Sequence, residues 1–216
     1  MNMRVDKLTE LKLLLKKLDS TYPCAYTPVV VNGKLIQDGN RRKLEDQYIR
    51  LGHIDVFGKS VLDIGCNCGY ISFQAIEKGA TYCHGFDANK EVIDACNIIK
   101  SMTEDLDNQK INFSHATMKE FDSLWWNETC LWPNFDVGIL FSILEYGDCY
   151  NFMSEYSYWA KVWYIEPMNH SEYGPEYEYK SKSEILEWGK ELETFGRVEF
   201  LTYTDYQHRG LFRVTI

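Results

Sequence analysis

The sequence lacks any apolar run that approaches the roughly 20 residues needed to span a membrane. Its first 20 residues, MNMRVDKLTELKLLLKKLDS, are interrupted by charges too often for a signal peptide. It has no internal repeat and no low-complexity tract. We therefore expect a soluble chain without a membrane span.

Positive charge is also scarce. Lys and Arg together number 23 against 32 Asp and Glu, which gives a formal net charge of -9. Such a balance repels a polyphosphate backbone unless basic residues cluster locally. Nucleic acid is therefore a disfavoured partner, although composition alone does not exclude it.

The cysteines do not indicate a disulfide framework. The chain has seven, an odd number, and several of them fall inside predicted strands or helices. This usage is typical of reduced thiols and predicts a cytosolic protein. Cys66 and Cys68 form a single C-x-C without a second pair or a nearby histidine cluster, so we predict no metal site.

The chain does have enough apolar sequence, 45% of 216 residues, for one core and one main domain. Residues 1–57 predict an N-terminal cap or lid, with an amphipathic helix, short extended pieces between prolines and glycines, and a second helix. The apolar stripe of the first helix consists of Leu8, Leu11, Leu15 and Leu18.

Residues 58–216 follow a different pattern, in which short β-branched runs alternate with helical stretches. The alternation predicts an α/β fold, a three-layer α/β/α sandwich whose mostly parallel sheet has helices on both faces. The last two strands, RVEFLTYT and GLFRVTI, are joined only by the short link DYQHR. They predict an antiparallel pair at the end of the sheet.

A glycine turn follows the first strand of this region, in VLDIGCNCGY. In open α/β sheets, ligands lie beyond the carboxyl ends of the strands, where the strand order reverses. The spacing of Gly65 and Gly69 is not the G-x-G-x-x-G of a dinucleotide site, and the turn lacks the lysine and hydroxyl of a phosphate-binding P-loop. A tight strand-to-helix connection without a ligand is the ordinary alternative.

Two acidic residues near the turn indicate the ligand. Asp63 would repel a polyphosphate and suits an ammonium group. Asp87 ends the next strand, 18 residues after Gly69, close to where a carboxylate accepts hydrogen bonds from a ribose diol. The two carboxylates together describe a ligand with an ammonium group at one end and a nucleoside at the other, which is the shape of S-adenosylmethionine.

The segments VLDIGCNCGY, EKGATYCHGFDAN and FDVGILFSILEY resemble the first, second and fourth motifs of class I S-adenosylmethionine-dependent methyltransferases, which have a Rossmann-like fold. The resemblance covers about residues 59–216. It implies a seven-stranded sheet whose last strand inserts antiparallel, and it implies S-adenosylmethionine as the cofactor. It is specific for fold and cofactor but weak for the acceptor.

Carried over by position, the resemblance assigns the methionine part of the cofactor to Asp63 and the turn from Gly65 to Gly69, and the ribose to Asp87. Further residues expected in the cofactor pocket are Cys66, Asn67, Tyr70, Ala88, Thr117, Met118, Phe141 and Ser142. Thr117 stands where the family usually has an acidic residue near the adenine amino group. The backbone N–H of Met118 is therefore the candidate for recognising the ring.

The preceding segment, VNGKLIQDGNRRKLEDQY, narrows the resemblance to two subgroups. One modifies bacterial surface polysaccharide or other sugars, and the other modifies wobble uridine in transfer RNA. In both, a basic residue upstream of the first strand can reach the cofactor carboxylate, and Arg42 or Arg41 is the candidate here. The acidic balance favours a glycan or small-molecule acceptor over RNA.

An oxygen or nitrogen acceptor also needs a base to take its proton. We rank His170 and Glu145 first, and Tyr146 stands where many relatives have histidine. Asp148 and Glu166 are further candidates at the same edge of the sheet. The stretch NHSEYGPEYEYKSKS, rich in tyrosine and glutamate, is the predicted acceptor-binding segment. A catalytically silent module that keeps the cofactor pocket is an alternative.

Overall fold

The computed structural model of the chain describes residues 2–20, 25–40, 42–104, 106, 109–129, 135–168, 180–204 and 209–216, with side chains except at 2–6 and 124–129. The N-terminal part consists of helix α1 (Asn2–Asp19), an antiparallel ribbon of β1 (Val29–Val31) and β2 (Lys34–Gln37), and helix α2 (Leu44–His53).

A seven-stranded sheet forms the centre of the molecule. Its strands are, in chain order, β3 (Ser60–Ile64), β4 (Tyr82–Asp87), β5 (Ile111–His115), β6 (Phe135–Glu145), β7 (Ala160–Met168), β8 (Arg197–Tyr203) and β9 (Gly210–Thr215). Their spatial order is β5-β4-β3-β6-β7-β9-β8, with β3 to β7 parallel and β9 antiparallel to both its neighbours. The predicted sheet, with its antiparallel ending, is confirmed.

Helices cover both faces of the sheet. They are α3 (Tyr70–Glu77), α4 (Lys90–Met102), α5 (Met118–Thr129), α6 (Tyr146–Tyr156) and α7 (Lys182–Glu191). Because strand side chains alternate between the two faces, Val61 packs into one core with α1, α3 and α4, whereas Leu62 packs into a second core with α5, α6 and α7. The predicted three-layer arrangement is therefore confirmed. Over the described ranges, no helix is long and apolar enough to cross a bilayer.

The predicted stripe of α1 faces inward. Leu11, Leu15 and Leu18 are completely buried, in the same core as β3 and α4. The N-terminal segment therefore contributes directly to the core of the sheet. A domain boundary near residue 57 stays a prediction.

No helix is predicted between the strands INFSHA and FDVGILF, yet helix α5 forms there, and its start carries a sequence signal. Thr117 and Glu120 form a reciprocal cap, in which the Glu120 carboxylate accepts hydrogen bonds from the Thr117 N–H and hydroxyl, both at 2.8 Å. The Glu120 N–H donates to the Thr117 hydroxyl at 3.3 Å. The pattern Thr-x-x-Glu before a helix is the capping-box signature, so the start of α5 can be found in the sequence.

Candidate functional site

The turn between β3 and α3 is held in a backbone conformation that favours glycine. Gly65 has φ +65°, and Gly69, immediately before α3, has φ +78°. The Gly65 position is also crowded, since a Cβ there would lie 2.4 Å from Cγ2 of Ile143. The end of β6 therefore lies against the turn. Any larger residue at Gly65 would displace the Ile143 side chain.

Asp87 ties this turn to the end of β4. Its Oδ2 accepts a hydrogen bond from the Asn67 N–H at 3.0 Å, and its Oδ1 accepts one from the Asn89 N–H at 2.8 Å. Burial raises the pKa of the Asp87 carboxyl, although the two N–H donors work against the rise. Each carboxylate oxygen has two acceptor positions, so the group keeps capacity for the donors of a ligand.

Asp63 lies on the adjacent strand and is 3% exposed. Its Oδ2 accepts a hydrogen bond from the Ser72 hydroxyl at 2.5 Å. Burial raises the pKa of Asp63 to about 7; the Ser72 hydrogen bond opposes the rise, and the charge of Asp87 adds to it. A buried carboxyl in this state gains a favourable interaction when a cation approaches it.

A cleft of about 560 Å³ opens beside the turn, at the carboxyl ends of the strands where their order reverses. Its volume falls within the range of roughly 300–1,000 Å³ that small-molecule sites occupy. One side is lined by five predicted cofactor residues, Gly65, Asp87, Ala88, Thr117 and Met118. The other side is one face of α6, with Asp148, Asn151, Phe152, Glu155 and Tyr156.

Two predicted residues of the turn, Asn67 and Cys66, are not among the residues that line the cleft. The Asn67 side-chain oxygen accepts a hydrogen bond from the Thr27 hydroxyl at 3.2 Å, which links the turn to the N-terminal segment. The Cys66 thiol is buried and donates to the Asn67 carbonyl at 3.7 Å. Both side chains therefore make contacts within the protein, and the predicted roles of Asn67 and Cys66 at the cofactor stay predictions.

Two aromatic residues also lie outside the lining of the cleft. The Tyr70 ring is buried at the start of α3, in a narrow space shared with Pro28 and Val30. Phe141 is buried within β6, with the Arg50 guanidinium 5.0 Å from its ring centroid. Their predicted roles at the cofactor stay predictions.

Glu166 is the centre of a buried charge cluster at the end of β7. Its carboxylate accepts hydrogen bonds from Arg50 Nε at 2.7 Å and Arg50 Nη2 at 2.5 Å, and from Arg42 Nη2. Arg209 Nη1 lies 3.9 Å from the same carboxylate. Burial alone would raise the pKa of Glu166, but the charges of Arg50 and Arg42 outweigh it and lower that pKa to about 2. Glu166 is therefore a structural anion and a poor general base.

Ser142 joins the same cluster through its hydroxyl. It accepts hydrogen bonds from Arg50 Nη2 at 2.6 Å and Arg42 Nη2 at 3.0 Å, and it donates to Glu166 Oε1 at 2.8 Å. Burial lowers the pKa of Arg42 to about 9, despite the opposing charge of Glu166. The predicted Arg42 and Ser142 are thus brought together in this cluster, and neither is among the residues that line the cleft.

Sequence reasoning missed Arg50 and Arg209 as members of this cluster. Arg50 lies in α2, where a charged residue in an amphipathic helix normally faces solvent, yet it is 2% exposed. Arg209 precedes β9 and is 3% exposed. Neither position carries a local pattern that distinguishes a buried arginine from a surface one.

The candidate general bases differ in their surroundings. Glu145 is half-buried at the junction of β6 and α6, and Asp148 lines the cleft. Tyr146 is buried with its ring edge-on to Trp188, at a centroid distance of 4.8 Å, and burial raises its pKa far above the usual value. His170 lies outside the described residues, as do Arg41 and residues 169–179 of the predicted acceptor segment.

The cysteines are buried thiols where the structure describes them, at Cys66, Cys68, Cys83, Cys96 and Cys149. The described part of the chain contains no group of three or more His, Cys, Asp or Glu side chains that could hold a metal ion.

Comparison with known proteins agrees with the motifs. Residues 56–161 match a family model described as a methyltransferase domain. No curated protein sequence matches the chain.

Solved structures match over most of the chain. The bifunctional kinase-methyltransferase WbdD matches with a TM-score of 0.58 and 19% identity over 93% of this chain. The putative methyltransferase SMU.776, complexed with SAH, matches with a TM-score of 0.60 and 14% identity, over 91% of this chain and 57% of that one. The ribosomal protein L11 methylase from Lactobacillus delbrueckii subsp. bulgaricus has a TM-score of 0.56 and 13% identity. The match covers 82% of this chain and 80% of that one.

At these identities the likeness shows the fold. The chain spans 46% of the length of WbdD.

Proposed function

Because the chain carries a class I, Rossmann-like methyltransferase domain, we propose that it is an S-adenosylmethionine-dependent enzyme. The methyl group goes to an oxygen or nitrogen atom of a sugar, a polysaccharide or another small-molecule acceptor. The fold and the family support the dependence on S-adenosylmethionine. The chemistry of the cleft supports the proposed class of acceptor.

One observation carries the proposal: a cleft at the reversal of strand order joins the glycine turn to Asp87 and the start of α5. The Asp87 carboxylate suits the two hydroxyls of a ribose. Met118 is the first residue of α5, so its N–H has no partner within the helix and suits a ring nitrogen of adenine. Gly65 lets the backbone approach the ligand closely.

We assign the methionine part of the cofactor to Asp63, on the strand before the turn, and to Arg42 of the charge cluster. Asp63, with its raised pKa, gains from an ammonium group, and Arg42 suits the carboxylate. When bound, the cofactor supplies a methyl group on a sulfonium, which is a good leaving group. The chain then has to orient the acceptor and exclude water.

The outer wall of the cleft supports a neutral, hydroxyl-rich or cationic acceptor. Asp148 and Glu155 from α6 contribute carboxylates, and Tyr156 contributes a ring. Carboxylates accept hydrogen bonds from sugar hydroxyls and aromatic faces pack on apolar or cationic groups, whereas the same wall repels phosphates. Glu145, at the junction of β6 and α6, and His170 are our proposed general bases.

Calorimetric titration with S-adenosylmethionine and S-adenosylhomocysteine tests the cofactor. Asp87→Ala should lower the affinity by about tenfold or more, because it removes a charge-assisted hydrogen-bond acceptor. Asp94→Ala is the matched control, since Asp94 pairs with Lys90 on the exposed side of α4. Failure of the unaltered chain to bind either compound at high micromolar concentration would contradict the proposal.

Labelled cofactor incubated with sugar, amine, nucleotide and RNA acceptors tests the reaction. Transfer to a sugar or another small molecule, lost in Glu145→Gln or His170→Ala, supports the proposed chemistry. Cofactor binding with no transfer to any acceptor supports a catalytically silent module, and transfer to RNA alone would overturn the proposed acceptor class.

A further inference from the structure

Ser142 adopts a backbone conformation that serine rarely occupies. Its φ is +60°, in the left-handed region that costs free energy for a residue with a Cβ. The other non-glycine residues with positive φ in the described part of the chain are Asn32 and Asn67, and asparagine tolerates this region better. Such a conformation persists only where the surroundings hold it in place.

The surroundings that hold Ser142 are the arginines and the carboxylate of Glu166. The hydroxyl accepts from Arg42 and Arg50 and donates to Glu166 Oε1, so each of its bonds involves an ionised partner. Hydrogen bonds to charged groups are stronger than neutral ones. Glu166 is fully buried, which fixes the position of the whole arrangement relative to β7.

The turned backbone at Ser142 determines where the next residue points. Pairing of β6 with β3 is regular up to Leu140 and Ile64, and pairing with β7 is irregular between Phe141 and Glu145. Within this irregular segment, the Ile143 side chain leaves the strand pattern and lies against Gly65 while lining the cleft.

We propose that Ser142 and Glu166 are positioning residues that hold Ile143 against the glycine turn and so set the sulfur end of the cofactor pocket. Glu166 acts through Ser142 and does not touch the ligand. This inference rests on the proposed function, because it concerns the part of the pocket next to Gly65 rather than the nucleoside part next to Asp87 and Ala88.

Two substitutions distinguish the effect of the Ser142 hydroxyl from the effect of its backbone conformation. Ser142→Ala removes the hydroxyl and keeps the cost of positive φ, whereas Ser142→Gly removes the hydroxyl and that cost together. We expect both variants to bind S-adenosylhomocysteine about tenfold more weakly. Adenosine, which lacks the amino-acid part, should bind both variants as it binds the unaltered chain. Ser101→Ala, at an exposed serine of α4, is the control.

Each variant is judged by comparing its loss of affinity for S-adenosylhomocysteine with its loss of affinity for adenosine. A variant that unfolds would lose both affinities. Equal losses for adenosine and S-adenosylhomocysteine would mean a general structural role and overturn the inference. Normal binding by Ser142→Gly would show that the hydroxyl is dispensable and would also overturn it. Ile143→Ala, which leaves the charge cluster intact, should reproduce the selective loss. If the unaltered chain binds adenosine but not S-adenosylhomocysteine, the proposed function fails instead.

Discussion

A hydrogen bond of 3.0 Å runs from the Asn67 N–H to Oδ2 of Asp87 and joins the turn after β3 to the end of β4. Asn67 has φ +49°, so the turn presents this N–H toward the neighbouring strand. The Asn67 side chain also accepts a hydrogen bond from Thr27. Two hydrogen bonds therefore link the turn to the N-terminal segment on one side and to the proposed ribose-binding carboxylate on the other. A substitution can remove either one alone.

The affinity for S-adenosylhomocysteine should rise with pH between about 5 and 7. Burial raises the pKa of Asp63 to about 7, so below that pH the proposed ammonium contact must first displace a proton. The affinity should fall by up to tenfold for each pH unit below 7. Calorimetry at several pH values, in buffers of different ionisation enthalpy, measures both the affinity and the released proton.

Asp63→Asn should remove this pH dependence and weaken binding at pH 7.5, whereas Asp94→Asn should change neither. The free energy of unfolding, measured without ligand, should depend on pH in the opposite direction. Because the folded-state pKa of Asp63 lies above the ordinary value of 3.8, its stabilising contribution is complete below that pH and is lost as the pH rises through about 7. Affinity that is flat with pH in the unaltered chain would exclude Asp63 as the ammonium partner.

Gly65→Ala should weaken cofactor binding more than its backbone conformation alone explains. The substitution adds a Cβ at positive φ and places it 2.4 Å from the Ile143 side chain. Gly58→Ala is the matched control, because Gly58 has φ +71° and a Cβ there meets nothing within 4 Å. Both variants should lose roughly 1–2 kcal/mol of unfolding free energy from the backbone term.

Only Gly65→Ala should also reduce the affinity for S-adenosylhomocysteine. Truncating the obstructing side chain in the double variant Gly65→Ala, Ile143→Ala should recover part of the lost stability. Chemical denaturation and calorimetry on the four proteins provide the measurement. Identical behaviour of the two single variants would show that the approach of Ile143 to the turn is unimportant.

Glu166→Gln should destabilise the fold strongly at neutral pH. It leaves Arg42, Arg50 and Arg209 buried beside a neutral amide, and breaking a buried charge cluster in this way costs about 3–5 kcal/mol. The comparison is Glu199→Gln, in which the lost carboxylate pairs with Arg213 at the surface, 3.7 Å away, and which should cost under about 1 kcal/mol.

The pH dependence of unfolding identifies the charge as the cause. Since the pKa of Glu166 is lowered from 4.5 to about 2, its stabilising contribution is present above pH 4.5 and is lost as the pH falls toward 2. Urea titrations between pH 3 and 7 should show this loss in the unaltered chain and a smaller one in Glu166→Gln. Equal slopes would mean that Glu166 contributes shape rather than charge.

The parts of the site that sequence predicts are those encoded locally. The glycine turn and Asp63 lie in one ten-residue segment, and Asp87 follows at the end of the next strand, so their relation depends only on a strand, a turn and a helix. The capping box at Thr117 is equally local. The start of helix α5 was therefore within reach of sequence reasoning through its capping box.

The charge cluster could not be predicted in this way. Arg50 and Glu166 are separated by 116 positions and meet only because the fold brings α2 and β7 together. The positive φ of Ser142 has no signature either, since serine is common in loops and strands alike. These features arise from tertiary packing, which a single sequence does not display.

Leu15→Ala should lower the free energy of unfolding by about 2–5 kcal/mol, because it opens a cavity in a core that α1 shares with α4 and the sheet. Leu13→Ala, on the same helix but 65% exposed, should change it by less than about 0.5 kcal/mol. If residues 1–57 were a cap independent of the sheet, Leu15→Ala would leave the main unfolding transition in place and produce a separate early one. A single transition shifted as a whole, followed by circular dichroism and tryptophan fluorescence, is the result expected from one shared core.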